Sequence, residues 1–200
     1  MQQMISREEI NELMKIKGEV RGIAMKNTAD FVLKKEGREG LQKLEKVMAE
    51  LGYPINYNRI KPIGFYPLNL LGLTLLVTQR LFKYTYEDLH EMGRFRSRAY
   101  VFIKIFINYF FSFEKAIKKV PEMWKKYFTV GELEAIDFDK KKKRGILRLK
   151  NYCLHPVQCA VMTGIYANMI QMLVKSKVTC KETKCIHKGD KYHEFVLEWE

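Results

Sequence analysis

Apolar positions recur at helical spacing through the first two thirds of the chain and alternate with polar ones after Gly131. Ser6 and Glu9 fit a capping box, and Ile10, Leu13, Met14, Val20, Ala24 and Phe31 come next at mostly helical spacing, with Gly18 and Gly22 as interruptions. The pattern restarts after Gly37, where Leu41, Leu44, Val47, Met48 and Leu51 share one face; Gly52 supplies a C-cap and Pro54 a stop. Pro54, Pro62 and Pro67 make the next stretch a loop with at most a short strand. Two strongly apolar runs come next, Leu68 to Phe82 and Ala99 to Phe113. Each is shorter than the roughly 20 residues a bilayer requires, and Arg80, Lys104 and Asn108 interrupt them, so both are expected to be core helices, with no transmembrane segment. A shorter helix between them carries Leu89 and Met92 inward, and His90 reads as a partly exposed polar residue. Two further helical pieces, broken at Pro121, follow the second run, with Trp124 on the second.

After Gly131 the period becomes two. Leu133, Ala135 or Ile136, and Phe138 alternate in one strand; Ile146 and Leu149, set against Arg148 and Lys150, mark a second. The basic run from Lys140 to Gly145 is the tip of the hairpin they form. Val157, Val161, Ile165, Met169 and Leu173 stand four apart in a long helix. The stretches around Val178–Thr183 and Tyr192–Trp199 alternate as strands, joined across Lys188, Gly189 and Asp190. The expected fold is α+β in a single domain spanning 1–200. Residues 1–128 are its mainly helical part, and 131–200 are a β-β-α-β-β antiparallel-sheet module with the long helix on one face.

Composition narrows the class. Two hundred residues, 47% of them hydrophobic and 12% aromatic, are enough for a buried core. A net charge of +13 favours anionic partners, nucleic acid among them, although lysine at a hairpin tip is also an ordinary solubilising device. The first residues show no secretory pattern, so a cytoplasmic location is the default expectation, with the four cysteines as reduced thiols or metal ligands. No nucleophile–base pair, glycine-rich phosphate loop or set of paired carboxylates stands out, and no enzyme is expected.

The candidate chemistry is concentrated late in the chain. Cys159, Glu182, Cys185 and His193 are donors suited to a borderline-soft divalent metal such as zinc. Cys159 falls in the first turn of the long helix, Glu182 and Cys185 flank the end of a strand, and His193 returns across the Gly-Asp turn. Cys153, Cys180, His155 and His187 are near enough in sequence to substitute, with Cys180 the best placed to face inward.

The segment from Gly164 to Trp199, a helix with Gly and Tyr followed by a strand ending in Glu-x-x-Cys, then Gly-Asp and a His leading into an aromatic strand, resembles the C-terminal motif of the 4-vinyl reductase domain family. The resemblance covers roughly Gly131 to Trp199. It implies a fold shared with the ligand-binding domains of nitric-oxide signalling and with subunits of the TRAPP vesicle-tethering complex. In phenol-sensing bacterial activators of that family, zinc is held by an upstream Cys and by the Glu, Cys and Cys of this motif. Carried over, the resemblance implies a structural zinc on Cys159, Glu182, Cys185 and His193, the last being His where those sensors have Cys.

The function expected from these features is a stand-alone small-molecule-binding or sensor domain, with an apolar pocket for a small, aromatic or lipid-like molecule. Candidate pocket residues are Phe102, Phe106, Tyr109, Phe110, Trp124 and Tyr166. A homodimer through the N-terminal helices and a separate signalling partner are expected with it. Two other readings compete: a dimeric interaction module using its basic surface to bind nucleic acid or an acidic protein, and a haem-based gas sensor, which rests on fold analogy alone.

Overall fold

Ser6 accepts a hydrogen bond from the Glu9 backbone N–H at 3.0 Å, and the first helix, α1 (Arg7–Met14), starts at this cap. The computed structural model of the chain describes residues 5–99 and 113–200. Gly18, at φ 106, and Gly22 end the first helical stretch, because the short strand β1 (Glu19–Arg21) lies between them. From Gly22 the chain runs as one bent helix, α2 (Gly22–Glu50). Its bend is Gly37, at φ 74 and ψ −172, where the apolar pattern restarts. A Cβ at Gly37 would touch nothing within 4 Å, so glycine serves here for its backbone freedom and not for space.

The proline-rich connection contains one short strand, β2 (Phe65–Pro67), which pairs antiparallel with β1. The first apolar run is α3 (Leu68–Phe82), buried over most of its surface, and α4 (Tyr86–Ala99) comes after it with Leu89 and Met92 inward. Most of the second apolar run lies outside the described residues, Phe102, Phe106, Tyr109 and Phe110 among them. Two short helices, α5 (Phe113–Lys118) and α6 (Val120–Tyr127), then appear; Pro121 sits in the first turn of α6, where its missing N–H costs nothing.

Strands β3 (Glu132–Asp139), β4 (Arg144–Lys150), β5 (Val178–Lys184) and β6 (His193–Trp199) form an antiparallel sheet in the order β3-β4-β6-β5. The long helix α7 (Val157–Val174) joins β4 to β5 and packs on β5 and β6. The β-β-α-β-β module and the α+β class expected from the sequence are therefore present.

One strand face differs from expectation. Leu147 and Leu149 of β4 point inward with Gly145, while Ile146 shares the outer face with Arg148 and Lys150. Ile146 and Leu149 are three residues apart, and a two-residue period cannot put both on one face. Helix α7 also departs from the single stripe expected of it. Gln158, Ala160, Met162, Thr163, Tyr166, Ala167 and Ile170 are buried along with Val157 and Val161, whereas Ile165, Met169 and Leu173 are only half-buried. A helix enclosed on several sides carries no narrow stripe. Among the described residues α7 is the one helix long and apolar enough to cross a membrane, yet 61% of that window is buried inside the protein.

Enclosure comes from both sides. α4 lies against α7 where Gly93 meets Gly164: a Cβ on Gly93 would fall 2.0 Å from the Val161 carbonyl oxygen, and one on Gly164 1.9 Å from that of His90. On the other side β1 anchors the end of α6: Arg21 Nε donates to the Lys126 carbonyl at 2.9 Å, and the Glu19 N–H donates to Thr129 Oγ1 at 2.8 Å. That anchoring positions the aromatic residues of α6 opposite α7.

Candidate metal centre and apolar cavity

Period two along β5 and β6 turns Glu182 and His193 to the same, inner face of the sheet. Glu182 pairs with Phe195, so His193 is its diagonal neighbour two residues along β6. A bulge between Glu182 and Lys184 then turns the chain toward Cys185. Above this corner the first turn of α7 brings in Cys159. The ligand atoms of Cys159, Glu182, Cys185 and His193 all lie within 4.8 Å of one another.

The individual separations fit a tetrahedral ion. Two sulfurs at about 2.3 Å from zinc stand about 3.8 Å apart, and a sulfur and an imidazole nitrogen about 3.6 Å. Here Cys159 Sγ lies 3.8 Å from Cys185 Sγ and 3.9 Å from His193 Nδ1. Glu182 Oε1 and His193 Nδ1 are hydrogen-bonded at 2.9 Å, a little closer than the roughly 3.3 Å expected of two ligands on one zinc. Both cysteines are free thiols, and their sulfurs are far beyond the roughly 2.05 Å of a disulfide. Cys185 and His193 are 3% and 2% exposed, so a bound ion would be shut off from bulk water.

Electrostatics alone make this a costly place for thiolates. Burial pushes the Cys159 thiol well up, and the Glu182 carboxylate and Cys185 beside it push the same way. Cys185 is likewise raised by burial, against a lowering hydrogen bond from the His187 backbone. Burial would also raise Glu182, but hydrogen bonds from His193 and Cys159 outweigh it and hold the carboxyl below its ordinary range. A divalent cation reverses the balance for the thiols, because thiolate is the form that binds it.

Around Cys185 the loop is folded into a closed turn. Lys188 and Asp190 N–H groups donate to the Cys185 carbonyl at 2.9 and 3.2 Å, and the Asp190 carboxylate accepts from the Cys185 N–H at 2.8 Å. Gly189, at φ 94, makes that return. Asp190, read from sequence only as a turn residue, thus positions a candidate ligand. Its signal was an Asp five residues after a Cys, placed to accept from that residue's backbone.

The alternative donors stay outside the cluster. Cys180 faces inward on β5 and burial raises its thiol, but it is not among the converging atoms. Cys153 is exposed, and His155 is held by Glu9 at 3.5 Å. His187 has its ring centroid 5.6 Å from that of His193. His90, half-buried on α4, bonds Thr163 Oγ1 at 3.0 Å.

Next to this cluster, α5 and α6 stand off α7 over a largely apolar cavity of about 90 Å³. Trp124, Phe128, Met162, Ile165, Tyr166 and Met169 contribute to its wall, with Leu133 and Leu147 of the sheet below. Trp124 stacks on Phe128 at 4.1 Å, and its Nε1–H donates to the Val130 carbonyl at 2.9 Å. Of the six residues expected at a pocket, Trp124 and Tyr166 line this one; the other four lie outside the described residues. Tyr166 meets Phe195 edge-on at 4.9 Å, and Phe195 stacks along His193, so one row of rings runs from the cavity to the four-donor cluster. Sequence reasoning missed Gln158, which also lines the cavity; a lone amide in an apolar helix was the signal available.

No family model and no curated protein matches the sequence. Solved structures do. An H-NOX protein from S. oneidensis, in the Fe(II) ligation state, superposes with a TM-score of 0.69 at 13% identity, covering 90% of this chain and 96% of that one. The Fe(II) unliganded H-NOX protein from K. algicida gives 0.64 at 13% identity over 90% and 96%. A trafficking protein particle complex subunit 3 from Naegleria fowleri, covalently bound to palmitic acid, gives 0.49 at 17% identity over 66% and 93%. This chain therefore has the fold of the H-NOX proteins.

Proposed function

We propose that this protein is a small-molecule-binding sensor domain that takes an apolar ligand between α6 and α7 and is held together by a structural zinc. The reading rests on one juxtaposition. A cavity walled by Trp124 and Tyr166 abuts a four-donor cluster with zinc-like spacing, inside a fold that H-NOX proteins share. Four protein donors complete a tetrahedron, so zinc there serves architecture and leaves no open position for a reacting water. The resemblance of the Glu182–Cys185–His193 segment to the 4-vinyl reductase motif points the same way.

Iron-based gas binding, suggested by the Fe(II) states of the H-NOX structures, finds less support. All four histidines and all four cysteines are among the described residues, and none lines the cavity. A cavity of about 90 Å³ is also far below the several hundred Å³ usual for cofactor-sized ligands. The described cavity residues thus offer haem iron no imidazole or thiolate.

The test is direct. Protein purified without added metal is expected to carry about one zinc per chain by elemental mass spectrometry, and to release a small apolar molecule on denaturation or to gain thermal stability with members of an aromatic and lipid library. Metal content far below one per chain that zinc addition does not raise removes the clamp. No guest and no thermal shift removes the pocket. A Soret band in the purified protein would instead favour the gas sensor.

A further inference from the structure

Among the large hydrophobic side chains exposed on the described residues, two stand two apart in the turn that leads into β2: Ile63, 69% exposed, and Phe65, 38% exposed. Lys61 and Pro62 beside them are exposed as well. This turn is firmly held. The Gly64 N–H donates to the Lys61 carbonyl at 3.0 Å, and the Gly22 and Ile23 N–H groups at the start of α2 donate to the Gly64 and Pro62 carbonyls at 2.8 and 2.9 Å. The Lys61 N–H donates to the Tyr66 hydroxyl at 2.9 Å. Backbone hydrogen bonds thus keep an apolar side chain out in water, which is unfavourable unless something covers it. Cations accompany it. Arg21 of β1 carries its guanidinium 4.1 Å over the Phe65 ring and donates to the Ile63 carbonyl. Its Nε bond to the Lys126 carbonyl brings up the end of α6, where Lys125 and Lys126 are exposed. Arg59 and Lys61 lie just before Ile63 in the chain. None of these five cations forms a salt bridge among the described residues. Across 19–21, 59–67 and 123–128 they face a single acid, Glu19.

We propose that the turn around Ile63 and Phe65 docks on a membrane: the two side chains enter a bilayer whose acidic headgroups meet Arg21, Arg59, Lys61, Lys125 and Lys126. The size of the patch chooses the partner. A stable protein interface takes roughly 20 residues a side, and this patch offers two large apolar ones. A lipid surface needs only a few inserted side chains, because attraction to anionic lipid adds to the apolar area buried. The bonded turn presents apolar and cationic groups together, so little has to be ordered on binding. This surface shares no residue with the cavity or with the four-donor cluster, and it stands whether or not they are occupied.

The test mixes the full chain with vesicles of phosphatidylcholine alone, or of equal parts phosphatidylcholine and phosphatidylserine, and reads the bound fraction by sedimentation. The native protein is expected on the acidic vesicles and not on the neutral ones, and to come off as salt rises. Ile63→Ser weakens binding to the acidic vesicles roughly tenfold and leaves the melting temperature unchanged, since the side chain it removes is exposed. Ile63→Trp keeps the affinity, and its emission moves to shorter wavelength on acidic vesicles as the indole leaves water. Two charge-matched pairs separate this surface from net charge. Lys61→Gln with Lys126→Gln weakens binding several-fold more than Lys141→Gln with Lys142→Gln at the hairpin tip. Equal losses from the two pairs, native-like binding by Ile63→Ser, or an unmoved emission in Ile63→Trp overturns the proposal. So does an absence of binding to acidic vesicles at low salt; if the native chain then self-associates and Ile63→Ser does not, the turn is a protein contact instead.

Discussion

At the scale of single residues, the candidate metal centre depends on where backbone hydrogen bonds place a sulfur. Cys185 is turned into the cluster by a loop whose closing bond comes from the Asp190 carboxylate. Asp190→Ala is expected to retain the fold and weaken zinc binding by roughly tenfold, read by competition with a chromogenic chelator. Cys185→Ala removes a candidate ligand outright and should abolish stoichiometric zinc. With zinc about a thousandfold above its Kd, the metal stabilises the native state by about 4 kcal/mol, so this variant should melt on the order of 10 °C below the loaded protein. Equal melting temperatures for the variant and the loaded protein would show that the four donors meet without clamping anything. The four donors were legible from residue type and from the family resemblance. Asp190 was not, because its importance lies in what surrounds it: one N–H 2.8 Å away.

At the scale of elements, the α4–α7 contact sets how closely the helices approach, and two glycines permit it. In Gly164→Ala the new methyl would meet the His90 carbonyl at 1.9 Å, a backbone atom that cannot rotate away. A loss of at least about 3 kcal/mol is expected in chemical denaturation. Gly37→Ala would fail for another reason: nothing crowds it, but φ 74 with ψ −172 is a conformation for glycine, and a cost of about 1–3 kcal/mol arises from strain alone. A neutral Gly37→Ala would mean that the bend in α2 relaxes when challenged. Most elements were visible in the sequence as periodicity: the capped start of α1, the restart after Gly37, the β3–β4 hairpin and the strands around the Gly-Asp turn. The facing of β4 was not. Its alternation contains adjacent apolar residues, Ile146 and Leu147, and only the partner strands and α7 decide which is covered.

At the scale of the whole molecule, burial of thiols makes stability depend on pH and on metal together. Burial raises Cys159, Cys180 and Cys185 in the folded protein above the ordinary thiol value of 9.0. Their contribution to stability is complete below that value. It is lost as pH rises above it, because the unfolded chain then releases thiol protons that the native state still holds. Metal-free protein is therefore expected to melt at progressively lower temperature above about pH 9. Zinc held at the candidate site would invert the sign there, since binding expels thiol protons and strengthens as they become easier to remove. Thermal scans from pH 7 to 10, with chelator and with zinc, should thus diverge as pH rises. Parallel curves would place the thiols outside any metal site.

The +13 charge is a whole-molecule property of a different kind. At the hairpin tip Lys141 and Lys142 donate their backbone N–H groups to Asp139 Oδ1 at 2.8 and 3.0 Å, the Lys142 Nζ lies 3.8 Å from Asp139 Oδ2, and both lysines are exposed. That is a capped, solvated turn.

What the sequence determined by itself was local and periodic: helices where apolar residues recur every three or four positions, strands where they alternate, and donors of a type that zinc accepts. Three-dimensional packing decided the rest. Donors as far apart as Cys159 and His193 converge because the sheet order β3-β4-β6-β5 puts β6 beside β5 and α7 lies across both. The cavity exists because β1 ties α6 in place opposite α7. Distances between residues remote in the chain depend on how elements pack, and a one-dimensional pattern carries no record of them.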